Sequence, residues 1–117
     1  MTIEPINIEN ALHFSSSYYI NGWLTISGKF YITDDALYFK HGKFNIGYVT
    51  DVKINICDVI GYKRISTNNL RIYLSNGLSA KFKFFIGSRN KIINAIEERR
   101  RVYFEKRKQL VPLLQLM

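Results

Sequence analysis

The chain has 117 residues, 47% of them hydrophobic and 15% aromatic, with a formal charge of +8. This composition excludes intrinsic disorder and suits one domain with one core. A single cysteine, Cys57, excludes an internal disulfide and a cysteine-based zinc cage.

No run approaches the roughly 20 apolar residues that span a bilayer. The acidic start MTIEPINIEN has no basic-then-apolar order, so it does not read as a signal peptide. These features predict a soluble protein of a reducing, cytoplasmic compartment.

In chain order, Ile3, Ile6 and Ile8 suggest a short edge strand or a lead-in, followed by the polar stretch Ser15-Ser16-Ser17. Strand signals become dense from Tyr18. Lys29–Thr33 and Leu37–Lys40 flank an Asp34-Asp35 turn. A two-residue loop there sets Ile32 opposite Leu37 and Phe30 opposite Phe39, so that all four face one side. The two carboxylates are read as turn residues, since Asp tolerates unusual turn dihedrals.

Val52, Ile54 and Ile56 alternate in a further strand, and Val59–Ile65 forms the next, with Gly61 at a bulge. Leu70 to Phe84 forms a second hairpin. A two-residue Asn76-Gly77 loop would turn Lys81 and Lys83 onto the apolar face. A three-residue loop, Ser75–Gly77, pairs Leu74 with Leu78, Ile72 with Ala80 and Leu70 with Phe82, and places Gly77 in the left-handed region. The other face then carries Arg71, Tyr73, Ser79, Lys81 and Lys83.

Ser88 is the predicted N-cap of an amphipathic helix over residues 88–108. Its apolar stripe is Ile92, Ile93, Ile96, Tyr103 and Phe104, with Arg100 on the same face. Glu97 and Arg101 are placed for an i,i+4 pair. The tail, residues 109–117, is uncharged and apolar. The fold class is therefore mainly β, many short strands followed by one C-terminal helix, in a single domain over residues 1–117.

The chemistry-bearing residues are sparse. His13 and His41 lack a metal-ligand spacing and read as ordinary polar residues. Cys57 reads as a buried or half-buried thiol. Gly42 and Gly47 do not form a phosphate-cradling loop, and there is no Gly-x-Ser-x-Gly elbow. No catalytic residue, metal site or cofactor is assigned, and the chain reads as a non-enzyme. Trp23 is placed in the core or at its rim, with interfacial anchoring as the alternative.

The charge is uneven. Residues 1–80 net +1, and residues 81–108 net +7. The candidates for contact with an anionic surface are Arg71, Lys81, Lys83, Arg99, Arg101, Lys106, Arg107 and Lys108. The candidates for a protein interface are Leu110, Leu113, Leu114 and Leu116 in the apolar tail.

From Gly28 to Lys40 the sequence resembles the GRAM branch of the pleckstrin-homology-like superfamily, through Gly28, Thr33, Leu37 and Phe39. His41–Asn45 resembles small bacterial GRAM proteins. Ile54–Val59 and the Asn76-Gly77 hairpin follow in the same order, so the resemblance covers residues 11–104. Many relatives carry a basic residue where Ala36 stands. The resemblance implies a strongly bent seven-stranded barrel or sandwich capped by the C-terminal helix, and a non-catalytic binding module. A protein partner or a homo-oligomer is the first expectation. Weak peripheral binding to anionic membranes is the second, and nucleic acid bound through the basic helix is the third.

Overall fold

Alternating apolar residues build two hairpins with the expected registers. The computed structural model describes residues 11–42, 51–107 and 114–116. Strands β2 (Thr25–Ile32) and β3 (Ala36–His41) pair Ile32 with Leu37 and Phe30 with Phe39. The Thr33 N–H donates to the Ala36 carbonyl at 2.9 Å. The Thr33 Oγ1 accepts from the N–H groups of Asp35 and Ala36 at 3.3 and 3.0 Å. Neither Asp34 nor Asp35 has a positive φ. The Thr33 hydroxyl, not an unusual Asp conformation, organises this turn.

In the second hairpin, β6 (Asn69–Leu74) and β7 (Ser79–Phe84) pair Leu70 with Phe82 and Ile72 with Ala80. Gly77 closes the three-residue loop at φ 87°. Strand β5 (Val59–Ile65) pairs with β6 and shifts register between Val59 and Gly61, the predicted bulge.

Strand β1 (Leu12–Tyr19) contains the polar stretch Ser15-Ser16-Ser17. It pairs with β2 on one side and β7 on the other, joining the two halves of the sheet. Ser16 is buried, and its Oγ donates to the Lys83 carbonyl at 3.1 Å. A buried hydroxyl with a partner avoids the desolvation cost of an unpaired one, so the polar stretch sits within a strand.

The strand order is β4-β3-β2-β1-β7-β6-β5-β8, where β4 is Val52–Asn55 and β8 is Gln115–Leu116. Ile56 begins a 3₁₀ turn, η1 (Ile56–Asp58), and does not continue β4 as expected. Strands β4 and β5 lie six places apart, about 29 Å across a flat sheet. The chain from Asn55 to Val59 spans at most about 14 Å. The sheet therefore bends strongly on itself. It is not closed, because no ladder among the described residues joins β4 to β5.

The inner face of this bend is the core. Phe30 meets Phe82 and Phe84 edge-on at 5.0 and 5.2 Å between centroids. Such pairs add about 0.5–1.5 kcal/mol each beyond area burial. Gly28 serves the same bend: a Cβ there would lie 2.0 Å from the Lys40 carbonyl oxygen.

Helix α1 (Ser88–Lys106) covers the core with Ile92, Ile93, Ile96 and Phe104. Ser88 is not its N-cap. Gly87 is, at φ 86°, with no side-chain cap bond. The tight turn after Phe85 demands a left-handed residue, which glycine alone takes without strain. The helix ends at Lys106, and Lys108 lies outside the described residues.

Arg89 secures the helix start. It donates to the carbonyls of Ser66 and Asn69 at 2.7 and 3.2 Å, and more distantly to that of Ile65. It thereby fastens a turn in which Ser66 holds a φ of 45°.

One other expectation changes. Cys57 is exposed, pointing out of η1, with its Sγ 3.8 Å from Asp58 Oδ1. Of the apolar tail, Leu114 is half-buried against the core. Leu110 and Leu113, like Ile3, Ile6 and Ile8, lie outside the described residues.

Two predictions follow from this packing. Gly28→Ala costs about 3 kcal/mol, as over-packing against backbone does, read as a fall in the urea midpoint. Arg89→Ala costs about 2 kcal/mol, the range for charged hydrogen bonds. An unchanged urea midpoint for Arg89→Ala excludes the clamp.

Candidate functional site

The seven antiparallel strands contain no Asp or Glu. Among the described residues every carboxylate side chain lies in a turn, in η1, in α1 or at Asp51 just before β4. The same strands carry eight Lys and Arg residues, most of them on the outer face because alternation sends the apolar set inward.

Register then lines cations up. Lys81 on β7 stands opposite Arg71 on β6, and Arg71 stands opposite Lys63 on β5. With strands about 4.8 Å apart, three cations fill a row about 10 Å long. Across β2 and β3, Lys29 stands opposite Lys40. Directly opposed like charges destabilise a sheet.

Local contacts soften this cost without removing the charge. The Lys81 ammonium lies 4.3 Å from the centre of the Tyr19 ring. Arg71 donates to Ser79 Oγ at 3.0 Å.

Residues Tyr19, Asn21, Gly22, Arg71, Ser79 and Lys81 line an open cavity of about 300 Å³ at the end of this row. Trp23, next in the chain after Gly22, is 81% exposed. Leu78, next before Ser79, is 65% exposed. Trp23 is thus neither core nor rim. Asn21 Oδ1 accepts from the N–H groups of Trp23 and Leu24 at 3.3 and 3.0 Å, and this Asx turn projects the ring outward. The Asn21-Gly22 pair was the sequence signal for a projecting loop.

Arg71, Lys81 and Lys83 therefore come together on one sheet, as the alternation predicts. The helical candidates do not join them. Arg99 donates to Asp34 Oδ1 at 2.8 Å, tying α1 to the β2–β3 turn. Arg101 bonds to Glu98 and Glu105, and not to Glu97 as expected. Hydrogen bonds from Arg101 to Glu98 and Glu105 raise the guanidinium pKa, and those from Arg101 hold the Glu98 carboxyl below its ordinary range.

Arg107 stacks 3.5 Å from the centre of the Tyr103 ring and donates to the Tyr103 carbonyl. Lys106 is exposed in the last turn. Arg100 is only 4% exposed and lies 5.7 Å from the Phe104 ring centre. Burial lowers its pKa, and Glu97 opposes that shift. Much of the helix's positive charge is therefore met within the helix or by the adjoining turn. Lys63 and Tyr19 were absent from the sequence-based set, because only register places them in the row.

His41 and Asp51 form a separate pair: Nδ1 lies 2.8 Å from Oδ1, and the His41 N–H donates to the same oxygen. Burial pushes the Asp51 carboxyl up, but hydrogen bonds from His41 outweigh it and leave the pKa lowered. Among the described residues no three His, Cys, Asp or Glu side chains gather to hold a metal ion, and no helix is long and apolar enough to cross a membrane.

No protein-family model matches the chain, and no curated protein does. Among solved structures it is similar to the C-terminal domain of an unknown protein from Leishmania infantum. The TM-score is 0.61 at 13% identity, over 80% of this chain and 87% of that one. That likeness concerns the fold alone.

The opposed cations give a direct prediction. Lys63→Glu turns a like-charge neighbour of Arg71 into an opposite one, worth about 0.2–1 kcal/mol for such cross-strand pairs. Its melting temperature rises at low salt, and the gain shrinks as salt is added. A fall at low salt contradicts the row.

Proposed function

We propose that the chain is a non-catalytic binding module, GRAM-like in type, that associates peripherally with anionic phospholipid surfaces. The outer sheet face is the contact. The observation that carries this reading is the row Lys63–Arg71–Lys81 on strands without a carboxylate.

Trp23 and Leu78 favour a membrane over a soluble polyanion. A projecting indole beside cations suits the interfacial zone, where an amphipathic ring sits at headgroup level. The motif residues support the GRAM-like assignment through their structural work: Gly28 permits close strand approach, Thr33 organises the turn, and Leu37 and Phe39 enter the core. The free thiol of Cys57 suits a reducing, cytoplasmic compartment.

A protein partner is the second reading. Phe85 and Ile86, adjacent in the turn before α1, are 68% and 83% exposed and favour an apolar contact.

Co-sedimentation with vesicles tests the first reading. Phosphatidylserine-containing vesicles bind the protein and pure phosphatidylcholine vesicles do not. Each basic residue near such a surface contributes about 1 kcal/mol. The triple variant Lys63→Gln, Arg71→Gln, Lys81→Gln therefore binds roughly a hundredfold more weakly. Trp23→Ala weakens binding at every salt concentration, because its contribution is not screened. Equal binding by the wild type and the triple variant rejects the sheet face. Stronger competition by heparin than by vesicles moves the reading to nucleic acid.

A further inference from the structure

The outer edge of β5 holds a segment of the chain's own C-terminus. Strand β8 runs parallel to β5, pairing Gln115 with Gly61 and Leu116 with Tyr62. Every other described ladder is antiparallel. A two-residue ladder has little stability of its own. Its anchor is Leu114, which packs between the β5–β6 hairpin and α1. Together with Val59, Tyr62, Leu70, Ile72, Ile93 and Ile96 it leaves only about 10 Å³ of the space unfilled. The groove is thus shaped for an extended segment entering with a leucine.

The edge is longer than its described occupant. Beyond Tyr62, β5 continues through Lys63, Arg64 and Ile65, and no described strand pairs with this edge there. A strand running parallel past the position of Leu116 passes Lys63 and Arg64, both exposed. Arg64 is held in place over the Tyr62 ring at 5.4 Å and donates to Asn90 Oδ1 at 3.3 Å.

We propose that the groove between β5 and α1 is a strand-accepting site. The C-terminal segment fills it in cis. Its partner in trans is an extended protein segment with a leucine at the position of Leu114, followed after two residues by acidic side chains. Main-chain pairing along the sheet edge supplies affinity, and the leucine pocket and the two cations supply selectivity. The acidic extension gives such a segment contacts beyond those of residues 114–116. This site shares Lys63 with the vesicle-binding face but uses a different edge of the sheet, and substitutions at Trp23 or Lys81 leave it unchanged.

The test uses the full chain. The probe is a fluorescein-labelled peptide of residues 110–116 extended by Asp-Glu-Asp, and the control ends in Lys-Gly-Lys. Gln115→Pro removes a backbone N–H from the cis ladder and weakens it. A tethered tail competes at an effective concentration in the millimolar range. Gln115→Pro therefore binds the acidic peptide at least about tenfold more tightly than the wild type. The basic control binds about tenfold more weakly than the acidic peptide. No change in anisotropy up to about 1 mM peptide, with the variant's circular dichroism native, overturns the site. Equal binding of the two peptides overturns the partner chemistry. The wild type supplies an independent readout by nuclear magnetic resonance: excess acidic peptide shifts the Gly61–Arg64 amides and moves those of Gln115 and Leu116 to free-tail positions. Unmoved Gln115 and Leu116 amides overturn the proposal whatever the variant does.

Discussion

The short path from Asn55 to Val59 governs this molecule. It joins the two strands that stand at opposite ends of the seven-strand antiparallel order, and no flat sheet can satisfy it. The bend it forces creates an inside and an outside. Inside, Phe30, Phe39 and Phe82 collect with the isoleucines of α1. The η1 turn at the corner is held on both sides. The Ile56 N–H donates to the Asp35 carbonyl at 2.8 Å, and the Ser75 N–H donates to the Asp58 carbonyl at 2.8 Å. Two turns distant in sequence are thereby fixed to one corner. Outside, the bend leaves a broad polar face that no other described element covers apart from local contacts.

That division explains why a charge count along the chain misplaces the positive field. The largest excess falls over residues 81–108, which include the helix. Yet helical spacing sets Arg101 beside Glu98 and Glu105, and packing sets Arg99 beside Asp34. Strand spacing works the other way. Lys63, Arg71 and Lys81 are separated in sequence and look unremarkable singly, but register makes them neighbours. Carboxylates accompany the cations in the helix and the turns and are absent from the strands, so the sheet carries the less compensated charge.

Much of the fold was legible because a two-residue period leaves few ways to pair an apolar strand. In each hairpin one loop length kept lysines out of the core, and that length is the one adopted. The failures share a cause: they depend on contacts distant in sequence. The burial of Ser16 was not legible, because its acceptor, the Lys83 carbonyl, lies 67 residues away. Ser88 looked like a cap because the left-handed turn at Gly87 is dictated by the approach of β7 to the helix. Cys57 looked buried because its neighbours alternate as in a strand, whereas the corner turns that segment into η1. At the candidate site, the alternation exposed Arg71, Lys81 and Lys83, but Lys63, Tyr19 and the projecting Trp23 required register and loop geometry.

The cation row also carries an energetic cost. Opposed like charges cost a few tenths to about 1 kcal/mol per pair. A domain of this size has only about 5–15 kcal/mol of net stability. The two directly opposed pairs along Lys63, Arg71 and Lys81 are therefore a measurable fraction of the whole, and one carboxylate in that row would relieve them. The row becomes favourable only when negative charge from another molecule lies against it, which turns mutual repulsion into shared attraction. Under the proposed membrane reading, folding and binding pull the same residues in opposite directions, and a change that stabilises the free protein weakens binding to an anionic surface.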